Sequence, residues 1–540
     1  MPDPLALAFP AIDRYARQLL AEGQGPSYVL AITDRDATRA VYRWGTLTDG
    51  GTQEPSDDTL YEIGSIGKSF TAIVLLQLVA EGLVDLHAPI ADQLPYWRIP
   101  SEFEPITPHH LLTHTSGLGG GSDHVPAPEY ELWLAQQALL TRAPNTSFIY
   151  SNLGYKALGL LIEHVTGTPY DAVVRERILA PLGLDSSEPA IRHEIRARLA
   201  PGHEPAYDDR PGLPRHGLVP ATWLQTNTAD GCLAMTGPDL AAYLRTLLRR
   251  GIADSGARIL SDEQFATMIS PHQGETPDPD YGYGIEHLTD GEVEQIGHSG
   301  GMVGWLSDMR GDLASGYGVA VLNNGVGDPT GLGGFALKAV VAAHNGDDLP
   351  EVPPPSSDAP LLDAEAYLGV FEGTGRVEVI RHGESLAVVR EGVTHPLLHL
   401  GHGDDFLLDE PGDDLFPFRF LRTGEGQVSG IAHGARWYAN EHDTGPRDVV
   451  APPEWSAFVG LYRSYNPWSS PIRIVVRRGL LLALMNGGYR QSELRPDGDG
   501  FLLTSAHDPE QRVHFEPVVN GRALAMRFDD GTVLSRFFTP

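Results

Sequence analysis

The sequence predicts a three-domain protein in which a mixed α+β domain is followed by two small antiparallel β-barrels. A proline-rich spacer, LPEVPPPSSDAP at residues 349–360, is the first observation behind this prediction. It separates a part with both helical and strand patterns from a part with short, alternating apolar segments. The second part also repeats itself, so we divide the chain into residues 1–348, 361–450 and 455–540.

The internal repeat defines the two predicted barrels. YLGVFEG, which starts at Tyr367, aligns with FVGLYRS, which starts at Phe458, and further on Phe420 aligns with Phe515. A second proline-containing joint, VVAPPEW at residues 449–455, separates the copies. Each copy has the length of an up-and-down, lipocalin-like barrel of about eight short strands.

Composition excludes several classes of partner. A formal net charge of −32 would repel nucleic acids and the anionic face of a bilayer. No apolar run reaches the roughly 18 to 20 residues of a transmembrane helix, and the start lacks the pattern of a signal peptide. We therefore expect a cytoplasmic protein that binds neither nucleic acid nor membrane. The single cysteine, Cys232, rules out an intrachain disulfide and is predicted to be a small core residue.

The first candidate catalytic motif is Ser65-x-x-Lys68 in the stretch YEIGSIGKSF. The apolar run at residues 70–81 predicts a buried helix that ends at Gly82 and has Ser65 near its N-terminus. Residues three apart share one face of a helix, so a neutral Lys68 amine can take the proton of Ser65. Lysine is rare, since only Lys68, Lys156 and Lys338 are lysines among 39 basic residues. Taken alone, the motif favours the alternative of a capping serine beside an exposed lysine.

The second candidate motif is Tyr150-x-Asn152, which directly precedes an apolar helical run. A tyrosine beside a lysine ammonium ionises more easily, so it can act first as a base and later as an acid. The amide of Asn152 can hold a substrate carbonyl or orient Lys68. The alternative is a half-buried tyrosine next to an asparagine that caps the helix.

The third candidate motif is His298-Ser299-Gly300-Gly301, in a segment that has the pattern of a strand edge. Glycines at such an edge let a substrate backbone approach, and a free edge amide can complete an oxyanion hole. His298 would supply a donor near the bound acyl group or carboxylate, or it is a structural histidine with satisfied hydrogen bonds.

In this order, SIGK, YSN and HSG resemble the motifs of the serine β-lactamase and penicillin-binding protein superfamily. The similarity is to the branch with class C β-lactamases, DD-peptidases, related esterases and D-aminopeptidases. Intervening segments are also similar, among them ITPHHLLTHTSGL at residues 106–118 and YGYGI at residues 281–285. The resemblance covers nearly the whole first domain. It implies a β-lactamase/transpeptidase-like α/β sandwich whose mainly antiparallel sheet and helical region meet at a cleft.

The resemblance also implies a role for each motif residue. Ser65 would be the acylated nucleophile, with Lys68 and Tyr150 sharing the general base and acid work. The backbone N–H groups of Ser65 and Gly301 would form the oxyanion hole. The remaining positions would line the substrate site: Asn152, His298, Ser299 and Gly300. Such a reaction passes through an acyl-enzyme and uses neither a metal nor another cofactor.

One departure from the family pattern bears on the substrate. His298 stands where typical β-lactamases have a lysine, and a neutral histidine is a poor anchor for the carboxylate of a penicillin. We therefore expect hydrolysis of amide bonds in short peptides or amino-acid amides, with D-configured substrates as an open alternative, because the three-domain layout resembles that of D-aminopeptidases. An esterase of the same family is the runner-up, and a non-hydrolytic scaffold or sensor is the alternative of another class. The barrels would either stabilise the protein or hold two copies together as a homodimer. The alternative is that they provide a loop that covers the cleft and restricts the substrate.

Overall fold

The computed structural model describes most of the chain between residues 3 and 537. The described residues are 3–23, 25–120, 127–136, 142–212, 216–272, 281–290, 293–355, 363–383, 385–400, 403–408, 410, 412–447, 449–464, 466, 469–503, 511–528 and 532–537. Part of the predicted spacer, with the predicted start of the first barrel at residue 361, lies outside these ranges. Two compact units result, the first from residues 1–204 and 218–353 and the second from residues 205–217 and 354–540.

The first unit contains a six-stranded antiparallel sheet with strand order β2-β1-β10-β9-β8-β7. The strands of this part of the chain are β1 Ser27–Thr33, β2 Thr38–Gly45, β3 Tyr61–Glu62, β4 His203–Pro205, β5 Leu218–Pro220, β6 Ala234–Met235, β7 Glu286–Asp290, β8 Val293–Met302, β9 Trp305–Asp312 and β10 Gly318–Asn323. The helices are α1 Pro4–Ala21, α2 Gly67–Ala80, α3 Ile90–Gln93, α4 Pro108–Leu112, α5 Pro128–Ala135, α6 Asn152–Thr166, α7 Tyr170–Val174, α8 Ala180–Leu182, α9 Gly237–Leu248, α10 Asp262–Ile269 and α11 Pro329–Asn345. The predicted α/β domain with an antiparallel sheet is confirmed.

Helices cover both faces of this sheet. Successive side chains of a strand point to opposite faces, and on β1 both sets are buried. Leu30 and Ile32 belong to the apolar core formed with α1 and α11. Val29 and Ala31 lie beneath the start of α9, where Gly237 packs against them. This two-sided burial explains why β1 has the nearly continuous apolar sequence SYVLAIT rather than an alternating one.

The predicted helix at residues 70–81 is confirmed as α2, although α2 begins earlier, at Gly67. A 3₁₀ turn, Gly64–Ile66, leads into it, and Gly82 follows its end with φ +73°. The start was missed because Lys68 and Ser69 are polar yet fully buried, so apolar periodicity does not mark the first turn. Ser69 is satisfied by a 2.6 Å hydrogen bond with the hydroxyl of Tyr243.

The second unit contains two closed antiparallel barrels of eight strands each, which confirms the predicted barrels. The first consists of β11 Gly369–Gly373, β12 Arg376–His382, β13 Ser385–Arg390, β14 Val393–His399, β15 Asp405–Leu408, β16 Phe418–Arg422, β17 Val428–His433 and β18 Arg436–Ala439. The second consists of β19 Gly460–Arg463, β20 Ile472–Arg477, β21 Leu480–Met485, β22 Arg490–Asp497, β23 Gly500–Leu503, β24 Gln511–Phe515, β27 Ala525–Phe528 and β28 Val533–Phe537. A small hairpin, β25 Val518–Val519 and β26 Arg522–Ala523, interrupts it. Phe420 and Phe515, aligned in the repeat, both lie on the sixth strand and in the apolar core of their barrel.

Residues 205–217 group with the barrels, although they fall within the predicted first domain. Asp209 lies 2.9 Å from Arg473, and Asp414 lies 3.4 Å from Arg210 and 3.3 Å from His216. These side-chain contacts join positions far apart in the chain, and no local sequence pattern predicts them. The exact domain limits stay predictions.

The composition predicted a buried cysteine, no membrane-spanning helix and a cytoplasmic location. Cys232 is a buried free cysteine whose sulfur lies 2.8 Å from the hydroxyls of both Thr226 and Thr228, which confirms it as a core residue. Within the described ranges, no helix combines the length and the apolarity needed to cross a bilayer. The cytoplasmic location stays a prediction.

Candidate active site

Ser65 lies in the 3₁₀ turn that leads into α2, and glycines surround this turn. Gly64 has φ +53°, and a Cβ atom there would lie 2.5 Å from the backbone nitrogen of Gly301. A Cβ atom at Gly231 would lie 2.7 Å from the carbonyl carbon of Gly64 and 3.2 Å from the nitrogen of Ser65. Only glycine allows backbones to approach this closely. The turn is thus held between β8 and the loop before β6.

Lys68 points toward Ser65 from the next turn of α2, as the three-residue spacing predicts. Its Nζ atom lies 3.0 Å from Ser65 Oγ, 2.7 Å from Asn152 Oδ1 and 2.6 Å from the backbone oxygen of Asp230. The side chain of Lys68 has no exposed surface, which contradicts the alternative of a capping serine beside an exposed lysine. All three partners are uncharged oxygen atoms.

These partners define what Lys68 can do with a proton. The amide oxygen of Asn152 and the carbonyl of Asp230 only accept hydrogen bonds, so they engage two N–H groups of Lys68. The hydroxyl of Ser65 can accept the third N–H from an ammonium or donate to the lone pair of a neutral amine. The same geometry therefore fits both protonation states of Lys68, which proton exchange with Ser65 requires.

The other fully buried lysine has different surroundings. Nζ of Lys156 lies 2.7 Å from Glu131 Oε2 and 3.9 Å from Asp230 Oδ2, so two carboxylates compensate its charge. A buried lysine paired with carboxylates is held as an ammonium. Lys156 therefore has a structural ion pair, whereas Lys68 contacts a hydroxyl.

Tyr150 and Asn152 both reach Lys68 from the N-terminus of α6. The cap of this helix is Ser151, whose Oγ accepts a hydrogen bond from the N–H of Gly154 at 3.0 Å. The alternative that Asn152 caps the helix is therefore wrong, and its amide is free to contact Lys68. The ring of Tyr150 has its centroid 4.8 Å from Lys68 Nζ, and the tyrosine is 37% exposed. Substrate and solvent can thus approach the phenol.

The HSG motif lies on β8 where that strand continues beyond β7. β7 pairs with β8 only as far as Gly297, while β9 pairs with β8 up to Met302. Residues 298–301 therefore have β9 on one side and the Ser65 turn on the other. A Cβ atom at Gly300 would lie 1.9 Å from the backbone oxygen of Ile63, so glycine is required there. This geometry brings Gly301 next to Gly64, as an oxyanion hole shared with Ser65 needs.

His298 is buried, and both of its ring nitrogens have partners inside the protein. Its Nδ1–H donates to the backbone oxygen of Ser299 at 2.6 Å, and its Nε2 accepts from the hydroxyl of Tyr281 at 3.0 Å. Burial, together with the positive charge of Lys68, lowers the pKa of His298 to about 3. The ring is therefore neutral at physiological pH, and both of its nitrogens are engaged within the protein. To act as the predicted donor to a substrate, His298 would have to give up its hydrogen bond to Ser299, so that role stays a prediction.

Two more titratable side chains lie around the site. Glu286 Oε1 is 3.9 Å from His298 Nδ1, and burial followed by the charge of Asp308 raises the pKa of Glu286 to about 7. The ring of His114 lies 4.2 Å from that of Tyr150, and burial lowers the pKa of His114 well below its usual value. The surroundings of Lys68 and Tyr150 thus include neutral imidazoles and a carboxyl that is easily protonated.

Sequence reasoning missed four residues of this site: His114, Asp230, Tyr281 and Glu286. His114 and Tyr281 stand in segments that were recognised only as similar to the family, and Glu286 follows the second of them. Their positions in those segments were the available signal. Asp230 acts through its backbone oxygen, which any residue type can supply, so no sequence pattern could identify it.

A model of the Beta-lactamase family matches residues 12–343, which is more than half of the chain. The match includes every residue of the site described above. The chain therefore belongs to the Beta-lactamase family and is a serine hydrolase of that family.

Two curated relatives cover different shares of the chain. Penicillin-binding protein 4 of Amycolatopsis lactamdurans is 28% identical over 348 residues, which are 61% of this chain and 89% of that protein. Esterase EstB of Burkholderia gladioli is 36% identical over 149 residues, which are 24% of this chain and 38% of the esterase. The match to the esterase is thus closer in sequence but spans much less than two thirds of its length.

Two solved structures resemble this protein. The octameric penicillin-binding protein homologue from Pyrococcus abyssi matches with a TM-score of 0.58 at 22% identity, covering 92% of this chain and 98% of that one, which supports the fold alone. The D-amino acid amidase from Ochrobactrum anthropi SV3, solved with D-phenylalanine, matches with a TM-score of 0.52 at 25% identity. That match covers 63% of this chain and 99% of the amidase.

Proposed function

We propose that this protein hydrolyses amide bonds of short peptides or amino-acid amides through an acyl-enzyme on Ser65. The observation that carries the proposal is the fully buried Lys68, whose Nζ lies 3.0 Å from Ser65 Oγ among uncharged partners. A serine hydroxyl is a weak nucleophile until a neighbouring base takes its proton, and a neutral Lys68 amine is placed to do so.

Acylation starts with proton transfer from Ser65 Oγ to Lys68 Nζ while Oγ attacks the substrate carbonyl carbon. The new ammonium keeps its hydrogen bonds to Asn152 and to the backbone oxygen of Asp230. The carbonyl oxygen becomes an oxyanion, which the N–H groups of Ser65 and Gly301 stabilise. The C–N bond then breaks and the leaving amine takes the proton of the Tyr150 hydroxyl. The Tyr150 ring, whose centroid lies 4.8 Å from Lys68 Nζ, places this proton donor beside the base.

Deacylation restores each group. The Tyr150 oxyanion takes a proton from water, and the resulting hydroxide attacks the acyl carbon. When the second tetrahedral intermediate collapses, Ser65 Oγ leaves and recovers its proton from Lys68. The exposure of Tyr150 supports this role, because both the leaving amine and the attacking water must reach its hydroxyl.

Two observations bear on the substrate: one favours an amide without an essential carboxylate over a penicillin, and the other favours the D-configuration. Neutral His298 provides no fixed positive charge at the position where β-lactamases anchor a carboxylate with lysine. The likeness to a D-amino acid amidase supports D-configured substrates. The substrate class therefore proposed is a D-amino-acid amide or a short peptide that begins with a D-residue.

A two-part experiment tests this proposal. A fluorophosphonate probe should label the wild-type protein on Ser65 and leave Ser65→Ala unlabelled, as mass spectrometry of the modified peptide would show. A panel of aminoacyl p-nitroanilides with D- and L-residues should then give faster hydrolysis of the D-series. Equal turnover of both series would refute D-specificity, and an unlabelled Ser65 would refute hydrolysis and favour the scaffold or sensor.

Esterase activity is the second candidate, and the 36% identity to Esterase EstB favours it. An ester needs less help from Tyr150, since an alkoxide can leave without a proton, whereas the nitrogen of an amide must be protonated before it leaves. Matched p-nitrophenyl esters separate the two candidates: a wild-type protein that turns over esters but none of the p-nitroanilides is an esterase.

A further inference from the structure

His114 occupies a left-handed backbone conformation that is uncommon for residues other than glycine. It lies just after α4 with φ +57°, a left-handed position that glycine or asparagine adopts at lower cost. Its side chain has no exposed surface. Asparagine, aspartate and histidine adopt this conformation more often than other non-glycine residues, so the contacts of the buried ring decide what a histidine does here.

The contacts of His114 bracket Tyr150 along the chain. The backbone oxygen of His114 accepts the N–H of Ile149 at 2.8 Å, and its Nδ1 accepts the N–H of Ser151 at 3.0 Å. These are the residues directly before and after Tyr150. The imidazole also packs at a tilt against the Tyr150 phenol, with ring centroids 4.2 Å apart and an interplanar angle of 33°. His114 thus holds both the backbone and the ring of Tyr150.

The protonation state of His114 suits this task. The backbone N–H of Ser151 can only donate, so Nδ1 must be an acceptor and the neutral ring carries its proton on Nε2. Burial and the positive charge of Lys68 keep the pKa of the ring well below its usual value, so Nδ1 stays unprotonated. Nε2 has no hydrogen-bond partner among the described residues. The hydrogen bond to Ser151 is therefore the polar contact that accounts for a histidine here.

We propose that His114 is a positioning residue that fixes the Tyr150 phenol against Lys68 by binding the backbone on both sides of the tyrosine. This inference rests on the proposed acid and base role of Tyr150. Misplacing a catalytic group by about 1 Å can lower a rate roughly 100-fold, so a device that fixes Tyr150 affects turnover more than binding.

Two substitutions separate the hydrogen bond from the bulk of the ring. His114→Asn and His114→Gly both suit a left-handed backbone and both remove the imidazole, but only asparagine keeps an acceptor near the position of Nδ1. Asn145→Gly is the control for loosening the same loop, because Asn145 also has φ +63° and its side chain hydrogen-bonds to His110 and Thr115 rather than to the backbone around Tyr150. It makes no contact with Tyr150 in the described structure.

The first measurement is the rate of fluorophosphonate labelling, together with kcat and KM on a p-nitroanilide. We expect His114→Gly to lower kcat about 100-fold with KM changed less than about threefold. The labelling rate should change much less, because Lys68 activates Ser65 and the fluoride leaving group needs no proton from Tyr150. His114→Asn should recover at least about tenfold of the loss in kcat, and Asn145→Gly should match the wild type. In a Tyr150→Phe background, the loss caused by His114→Gly should shrink to less than about threefold. Equal losses in the Asn and Gly variants, or the same loss without the tyrosine hydroxyl, would overturn the inference.

A second measurement does not depend on hydrolysis. With 3-fluorotyrosine incorporated at position 150, the ¹⁹F NMR spectrum of the full-length wild type should show one resonance. The His114→Gly variant should show a broadened or split resonance, whereas Asn145→Gly should not. An unchanged resonance in His114→Gly would refute the positioning role, even if Ser65 proved unreactive and the proposed function failed. Circular dichroism of each variant confirms that the comparison is between folded proteins.

Discussion

Replacing Lys68 by arginine tests the proposed proton transfer most directly. Arginine is a permanent cation and can still donate to Asn152 Oδ1 and to the backbone oxygen of Asp230, 2.7 and 2.6 Å from Nζ in the wild type. A guanidinium cannot lose its proton in a protein, so it cannot accept the proton of Ser65. The change therefore removes the ability to accept a proton and leaves the main hydrogen bonds in place.

The expected loss follows from the value of a general base. Positioned acid and base groups contribute about 10²- to 10⁴-fold in rate, or roughly 3 to 5 kcal/mol of activation free energy. Lys68 has no exposed surface, so neither water nor a moved side chain can easily replace it. We expect Lys68→Arg to lower the fluorophosphonate labelling rate of Ser65 by at least about 1,000-fold.

Each of the other two lysines provides a control for this experiment. Lys156→Arg keeps the buried ion pair with Glu131 and reports what a larger basic side chain costs in stability. Lys338→Arg changes an exposed position on α11 and should label at the wild-type rate. Thermal unfolding of all three variants shows whether Lys68→Arg still folds. Labelling of folded Lys68→Arg within tenfold of wild type would mean that Lys68 is not the base.

Three further predictions concern the same site. Asn152→Ala removes a hydrogen bond from Lys68 and should slow labelling about 10- to 100-fold without unfolding the protein; an unchanged rate would contradict that role. Gly300→Ala puts a Cβ atom 1.9 Å from the Ile63 oxygen and should lower the melting temperature, whereas Gly82→Ala, with no atom within 4 Å, should act only through its φ of +73°. The Glu286 pKa is raised from 4.5 to about 7, so its contribution to stability is full below pH 4.5 and lost as the pH rises to about 7. Glu286→Gln should therefore flatten the decrease in unfolding free energy across this window, by up to about 3 kcal/mol, and an unchanged urea-denaturation profile would refute the pKa assignment.

The two barrels could be predicted from sequence patterns, whereas the contacts of residues 205–217 could not. Strand alternation and the internal repeat predicted two barrels of about eight strands, and Phe420 and Phe515 occupy equivalent core positions. Such patterns succeed because each barrel strand has one face in the core and one toward solvent, which leaves a period of two in the sequence. The side-chain contacts of residues 205–217 had no such signature, because they join side chains more than 190 residues apart.

The sequence by itself determined the motifs SIGK, YSN and HSG, their order and the helix that carries Lys68. Local spacing was sufficient for these, since three residues make nearly one helical turn. Only the tertiary structure decided the partners of Lys68, the neutral state of His298 and the contacts of His114 with the backbone around Tyr150. The physical reason is that protonation depends on burial and on charges from other elements, while backbone hydrogen bonds carry no residue signature.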